Sequence, residues 1–353
     1  MLRTVILVCC VAAGLSSGQD AGSSAVVRAE HMDCMSIGAA SGDLVLHGTL
    51  THPATADARG AVVLLHGSGP QDRDSTVDSG VPGRPLKPLR DLAVKFAEYG
   101  FFVYRYDKRT FNATEIPNVE KLLVTDFAID AAAAATCVID RTKLPASSVA
   151  LMGHSQGASL APTVSALFRE MSPSGDALGN IAMLMGHSAG IDVLMVDQLR
   201  RMGQDGLARR HEKYFHEVRL DRDDSDPDLY PAYLGPFWRS WFAVTDYAGL
   251  EHAVAREQVH GVDVAAINSE QDWNVPPWAY AEIKGFMPTN RHLELNDIHH
   301  LLCPLTADIR LALRVCSRVL HSLLSWLGAD PSDLDGDKCS MVHWPEEVVE
   351  AEN

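Results

Sequence analysis

Past its first residues the sequence has no apolar run long enough to cross a bilayer, which argues against an integral membrane protein. It has no C-x-x-C pair, so the redox and zinc motifs built on that spacing are absent. It has no internal repeat and no long low-complexity tract, which excludes solenoids and arrays. Gly67-Ser68-Gly69 lacks the lysine and the spacing of a phosphate loop. His211-Glu212 with His216 misses the zinc-peptidase spacing by one residue. Asp333, Asp335 and Asp337 resemble the start of a calcium loop, but the glycine falls in the wrong place and no closing glutamate follows. Positive charge is also scarce. There are 30 lysines and arginines against 46 acidic residues, a net charge of -16. Nucleic acid and anionic membrane surfaces repel such a chain, so no nucleic-acid partner is expected. No metal and no organic cofactor is implied.

What is present suits one large globular domain, or a domain with an insertion: 353 residues, 46% of them hydrophobic and 22% charged. Arg3, the apolar run Val5 to Leu15 and the small residues Ser16 to Gly18 read as a secretory signal over 1–18. The expected mature protein starts near Gln19, is secreted or extracytoplasmic, and has no membrane span once the signal is cleaved. Cys9 and Cys10 lie in that signal. The five others are Cys34, Cys137, Cys303, Cys316 and Cys339, an odd number that leaves at least one thiol unpaired within the chain. A disulfide through Cys339 would fasten the tail; its partner stays open. Asn112-Ala113-Thr114 is a glycosylation sequon, usable only in a eukaryotic secretory route.

Residues 19–40 are small and polar and read as a flexible leader. Over 41–328, short apolar strands alternate with amphipathic helices. The strands are Asp43 to Leu50, Ala61 to Leu65, Phe101 to Tyr106, Val149 to Met152, Ile181 to Met185, Val262 to Ile267 and His292 to Leu295. The helices are Leu86 to Glu98, Thr125 to Arg141, Gln156 to Arg169 and a long closing helix, Ala307 to Leu327. This alternation predicts an α/β fold with a doubly wound, mostly parallel sheet. Residues 187–257 contain no convincing strand and form a helical cap insertion, with Phe215, Phe237, Trp238, Trp241 and Phe242 expected to cover an apolar acyl pocket. From 329 to 353 the chain is acidic and reads as a mobile tail.

Gly153-His154-Ser155-Gln156-Gly157 follows one strand and opens a helix, the context that G-x-S-x-G needs. Small residues at Ala158, Ser159 and Ala161 let the helix approach the sheet. The backbone N–H of Gln156 then lies at a helix N-terminus, beside the Ser155 hydroxyl. A second match, Gly186-His187-Ser188-Ala189-Gly190, is followed by the bulky Ile191, Val193, Leu194 and Met195 and comes one strand too late, so it reads as a structural loop. His66-Gly67-Ser68-Gly69-Pro70 follows an earlier strand and can supply a second oxyanion donor, Ser68 first and Gly69 next. A serine nucleophile also needs an acid and then a base further along the chain. Asp272 sits in the loop after Val262 to Ile267, with Glu270 as runner-up. His299 and His300 follow His292 to Leu295. Neighbours in an extended loop point to opposite sides, so only one of them faces the serine, and the residues leave open which.

These segments resemble α/β-hydrolase esterases of a bacterial type. The likeness rests on "HGSGPQDRD" at 66–74, "YRYDKR" at 104–109, "GHSQGASLAP" at 153–162 and "LNDIHHL" at 295–301. The resemblance implies the α/β-hydrolase fold and a triad of Ser155, Asp272 and His300. It departs at "NDIHHL", where the family usually shows a single histidine in "NHL", and in the acidic tail. The function expected is a serine carboxylesterase acting on a small-molecule ester or acyl substrate through an acyl-enzyme. Peptidase, thioesterase and a low-turnover binding protein on the same fold are the alternatives. Oligomeric state is not legible.

Overall fold

The computed structural model describes residues 27–55, 57–222, 225–305, 314–337, 339 and 348–351. The predicted signal 1–18, the leader up to residue 26, residues 307–313 of the predicted closing helix and most of the tail past 339 lie outside them.

Eleven strands are described. They are β1 (Val27–His31), β2 (Cys34–Ser36), β3 (Leu44–Leu46), β4 (Gly48–Thr51), β5 (Gly60–Leu65), β6 (Phe101–Tyr106), β7 (Val149–His154), β8 (Asn180–Leu184), β9 (Asp263–Ser269), β10 (His292–Leu295) and β11 (Val348–Ala351). Nine form one sheet in the order β10-β9-β8-β7-β5-β6-β4-β1-β11; β2 and β3 pair separately. All pairings in the large sheet are parallel except those of β4 with β1 and β6. Only β4 therefore runs against the rest.

The central strands read as continuous apolar runs because both of their faces are covered. Successive side chains alternate between two cores. Val63, Leu65, Leu151, Ile181 and Met183 meet α2 (Val124–Thr142) and α3 (Gln156–Met171). Val62, Leu64, Met152, Ala182 and Leu184 meet α1 (Pro88–Glu98) and α9 (Ser317–Trp326). The alanine run of α2 is fully buried, and this bulk-free face lets α2 lie close to α3.

Between β8 and β9 run α4 (Ile191–Arg201), α5 (Asp205–Val218), α6 (Gly235–Thr245) and α7 (Tyr247–Val259); α8 (Ala281–Phe286) follows β9. Helices α4 to α6 pack on one another, with α6 also against α2 and α3; α7 lies along α3 and β9 as an ordinary layer helix. Trp238 and Trp241 stack with ring centroids 5.5 Å apart. Both are buried with Phe215, Tyr230 and Phe242. These aromatics join the same core as α2, α3 and the sheet, with Phe237 against Phe127 of α2.

Four expectations need correction. The leader 19–40 is not wholly flexible: β1 joins the main sheet, pairing its Ala29–His31 with Thr49–Thr51 of β4. Asp43 to Leu50 is two strands rather than one, because β3 pairs with β2 while β4 pairs with β1 and β6. The predicted closing helix is interrupted: Arg314 to Cys316, just before α9, are not helical, and Asp91 of α1 accepts hydrogen bonds there from Arg314 Nη1 and the Val315 N–H. The tail is tied down at three points. Cys339 is bonded to Cys316, Leu334 is buried, and β11 lies parallel to β1.

The Cys316–Cys339 disulfide closes a sequence separation of 23 residues. Restricting the unfolded chain by a loop of that size is worth about 3 kcal/mol. Cys339→Ser should lower the melting temperature accordingly and remove the effect of dithiothreitol on it. Equal melting temperatures for the parent under oxidising and reducing conditions would contradict this.

Chain direction fixes the position of the site. From β5 the chain passes through α1 to β6 on one side, whereas from β7 it passes through α3 to β8 on the other. The order of the sheet reverses between β5 and β7, and a crevice opens beyond the carboxyl ends of strands at such a point.

Candidate active site

The two loops at this crevice are 66–70 and 153–157. Ser155 has φ 54° and ψ −114°. The left-handed φ costs a non-glycine residue about 1–3 kcal/mol, so the surroundings must impose it. They do so through neighbouring backbone. The Ser155 N–H donates to the Leu184 carbonyl of β8 at 2.8 Å, and the Ser155 carbonyl accepts from Ala158 at 3.0 Å. A Cβ at Gly153 would strike the Gly157 backbone, and one at Gly157 would meet the His66 carbonyl at 2.6 Å. The two glycines are therefore what allow the strand to turn sharply into α3. Gln156 occupies the first helical position, where a backbone N–H has no partner within the helix.

A Cβ at Gly67 would lie 3.3 Å from Ser155 Cβ, which places the 66–70 loop directly against the serine. That loop is anchored from β6 and the residues after it. Arg73 donates through its backbone, Nε and Nη2 to Asp107, and Arg105 pairs with Asp74. The Lys108 N–H donates to the Gln71 carbonyl at 3.0 Å. Lys108 Nζ donates to the Gly67 carbonyl at 2.6 Å and to Gln156 Oε1 at 2.7 Å. Segments 66–74 and 104–109 are thus two halves of one latch. Burial pulls the Lys108 ammonium down to about 7, against the opposing pull of Asp130. Arg109 holds Asp130 through two hydrogen bonds, of 3.0 and 2.6 Å.

Asp272 follows β9 and is buried. Its Oδ1 accepts the N–H groups of Asn274 and Val275 at 2.8 and 2.9 Å, and its Oδ2 lies 2.7 Å from His300 Nδ1. This bond fixes the tautomer that leaves His300 Nε2 free to accept a proton. The His300 carbonyl accepts a hydrogen bond from His154 Nε2 at 2.7 Å, so the residue before Ser155 holds the histidine loop in place. His299 points elsewhere: its Nδ1 accepts the Leu301 N–H at 3.2 Å. Asp297, the nearby acid, lies 3.8 Å from Arg318. Glu270 is exposed. Ser68 is exposed at the rim, and its carbonyl accepts from Gln71 Nε2. Ser188 has an ordinary negative φ. Its hydroxyl donates to Glu282 at 2.7 Å, and α4 begins three residues later.

In the sequence Lys108 is one residue of the 104–109 segment, with nothing local to mark a role beyond its being an ionisable residue just after a buried strand. His154 is likewise only the variable position of G-x-S-x-G.

Buried histidines give the protein a pH signature. Burial above all pulls His66 and His154 down to about 3, and His187 and His299 to about 4. In the fold they stay neutral, whereas in the unfolded chain each takes a proton near 6.5. Their contribution is complete above about pH 6.5 and is lost as pH falls toward the folded values. Asp91 opposes them: burial raises it to about 6, so it adds stability as pH falls below that. Unfolding near pH 5 should take up about three protons net, and the melting temperature should fall between pH 7 and 5. A melting temperature unchanged over that range would contradict the assignment.

Among the described residues, His31, Asp33 and His47 each bring a potential metal-ligating atom within 4.8 Å of the others. They lie on the surface at the end of β1 and beside β4, four strands from β7 in the sheet order.

No protein-family model matches the chain. A curated relative, the esterase EstD of Thermotoga maritima, is 33% identical over 184 residues, which are 52% of this chain and 40% of the relative. The chain therefore spans less than half of that relative's length. Among solved structures, an acylaminoacyl peptidase in complex with Z-Gly-Gly-Phe-chloromethyl ketone is similar at a TM-score of 0.51 and 12% identity, over 86% of this chain and 42% of the other. DcsB in complex with its substrate analogue is similar at 0.51 and 15%, over 84% and 98%. A puromycin hydrolase is similar at 0.50 and 16%, over 86% and 40%. At these identities the likeness shows a shared fold.

Proposed function

We propose that this chain, whose fold is that of the α/β-hydrolases, is a serine esterase in which Ser155, His300 and Asp272 form the catalytic triad. The observation that supports the reading is a strained Ser155 at a helix N-terminus whose neighbour, His154, is hydrogen-bonded to the carbonyl of a histidine oriented by a buried carboxylate. His300 takes the Ser155 proton, the serine oxygen bonds to the ester carbonyl carbon, and Asp272 stabilises the imidazolium. The tetrahedral oxyanion is met by the backbone N–H groups of Ser68 and Gln156. Collapse of this intermediate releases the alcohol, which takes the proton from His300. Water, deprotonated by His300, then cleaves the acyl-enzyme and releases the acid. The curated esterase relative supports a small-molecule ester as the substrate class.

Export is part of the same proposal. The Cys316–Cys339 disulfide supports an oxidising compartment, in keeping with the signal expected over 1–18.

The test is a fluorophosphonate probe followed by peptide mapping, together with turnover of p-nitrophenyl esters, aminoacyl amides and acyl-thioesters. Labelling at Ser155 with fastest turnover of esters is expected. Absence of labelling defeats the serine mechanism. Faster turnover of amides or thioesters moves the activity to peptidase or thioesterase.

A further inference from the structure

We propose that Lys108 is the positioning residue of the oxyanion site, tying the Gly67–Ser68 peptide and Gln156 into one frame. The proposal rests on the serine-hydrolase reading above and adds to it the part that organises the two donors.

The Gly67 carbonyl and the Ser68 N–H belong to one planar trans unit and point in opposite directions. An anchor that fixes the carbonyl therefore fixes the direction of the N–H. Lys108 Nζ is that anchor, at 2.6 Å from the Gly67 oxygen. Its second hydrogen bond, 2.7 Å to Gln156 Oε1, holds the side chain of the residue whose own N–H is the other proposed donor. One nitrogen thus spans both halves of the oxyanion site. A cation bonded to a peptide oxygen also polarises that peptide, which strengthens its N–H as a donor.

A purely structural account explains the residue less well. Lys108 is 5% exposed. Burying an ammonium is costly unless it is paired, and an apolar side chain would fill the space without that cost. Its Nζ donates to two neutral oxygens, the Gly67 carbonyl and Gln156 Oε1. Its other close neighbour is the Phe127 ring face, 4.5 Å from Nζ to the centroid. The nearby carboxylate, Asp130, already holds Arg109 with both of its oxygens. What its Nζ does reach is one acceptor on each of the two loops beside Ser155, which is the geometry of a positioning tie.

Lys108→Met in the full chain keeps length and packing while removing the donor. Losing one oxyanion donor outright costs about 100–1,000-fold in kcat; loosening two should cost less, about 30-fold, with KM changed less than about threefold. Affinity for an arylboronic acid, which forms a tetrahedral adduct with the serine, should fall by a similar factor. Gln156→Leu cuts one of the two ties while leaving its backbone N–H, and should lower kcat by about fivefold at unchanged KM. A Lys108→Met enzyme that melts cooperatively and keeps kcat and boronate affinity within about threefold overturns the proposal, as does a rise in KM alone. If Lys108→Met does not fold, full kcat in Gln156→Leu overturns it instead. Ser155→Ala separates the two levels of inference. A dead Ser155→Ala beside a fully active Lys108→Met removes only the role of Lys108. An active Ser155→Ala removes the serine mechanism and this proposal with it.

Discussion

Ser155→Ala should lower kcat by about three orders of magnitude or more, while Ser188→Ala stays within about threefold, a barrier change of about 0.7 kcal/mol. The two serines share the G-x-S-x-G pattern and differ in everything that the chemistry needs. Ser155 sits at a positive φ immediately before α3, with Gly67 against it. Ser188 has a negative φ, is separated from its helix by two residues, and donates its hydroxyl to Glu282. Its N–H is engaged by the Ala279 carbonyl. Steady-state turnover of one p-nitrophenyl ester by both variants decides the matter. Comparable losses in the two would mean that the nucleophile has been misplaced.

The second large effect belongs to the histidine pair. His300→Gln should lose activity about as fully as Ser155→Ala, because members of a triad act as a unit. His299→Gln should keep activity within about tenfold, or about 1.4 kcal/mol of barrier. Only His300 reaches Asp272, and the orientation of its ring follows from that bond. His299 stabilises the turn instead, by accepting the Leu301 N–H. Some of the tenfold allowance covers the loss of that hydrogen bond so close to the base. The reverse pattern would transfer the role to His299 and remove the basis for the triad register.

Much of the fold was legible because buried parallel strands declare themselves as short apolar runs. The observed β5, β6 and β9 lie within a residue or two of their expected limits. What escaped was written in other terms. Val27–His31 carries Arg28 and Glu30, and nothing local marks it as a strand; its place depends on β4, some twenty residues further along the chain. Residues 314–316 continue an apolar helical pattern, yet tertiary ties override it: Asp91 takes the Val315 N–H, and Cys316 is bonded to Cys339. At the site, the sharp strand-to-helix turn at Ser155 was legible from local context. The choice of His300 came from family likeness alone, since alternation in a loop offers no way to tell neighbours apart. Lys108 escaped because its role depends on two segments brought together only by folding.

The pairing of β11 with β1 has a consequence for the order in which the chain is made. β1 leaves the ribosome before every strand it will touch, and β11 is synthesised after all the others. Until residues 348–351 exist, the outer side of β1 is an open row of backbone donors and acceptors, the kind of edge on which a second chain can add. Ser155 directly follows β7, four strands inward from β1, at a strand spacing of about 4.8 Å. The last of the described strands to be made thus covers an edge that is remote from Ser155.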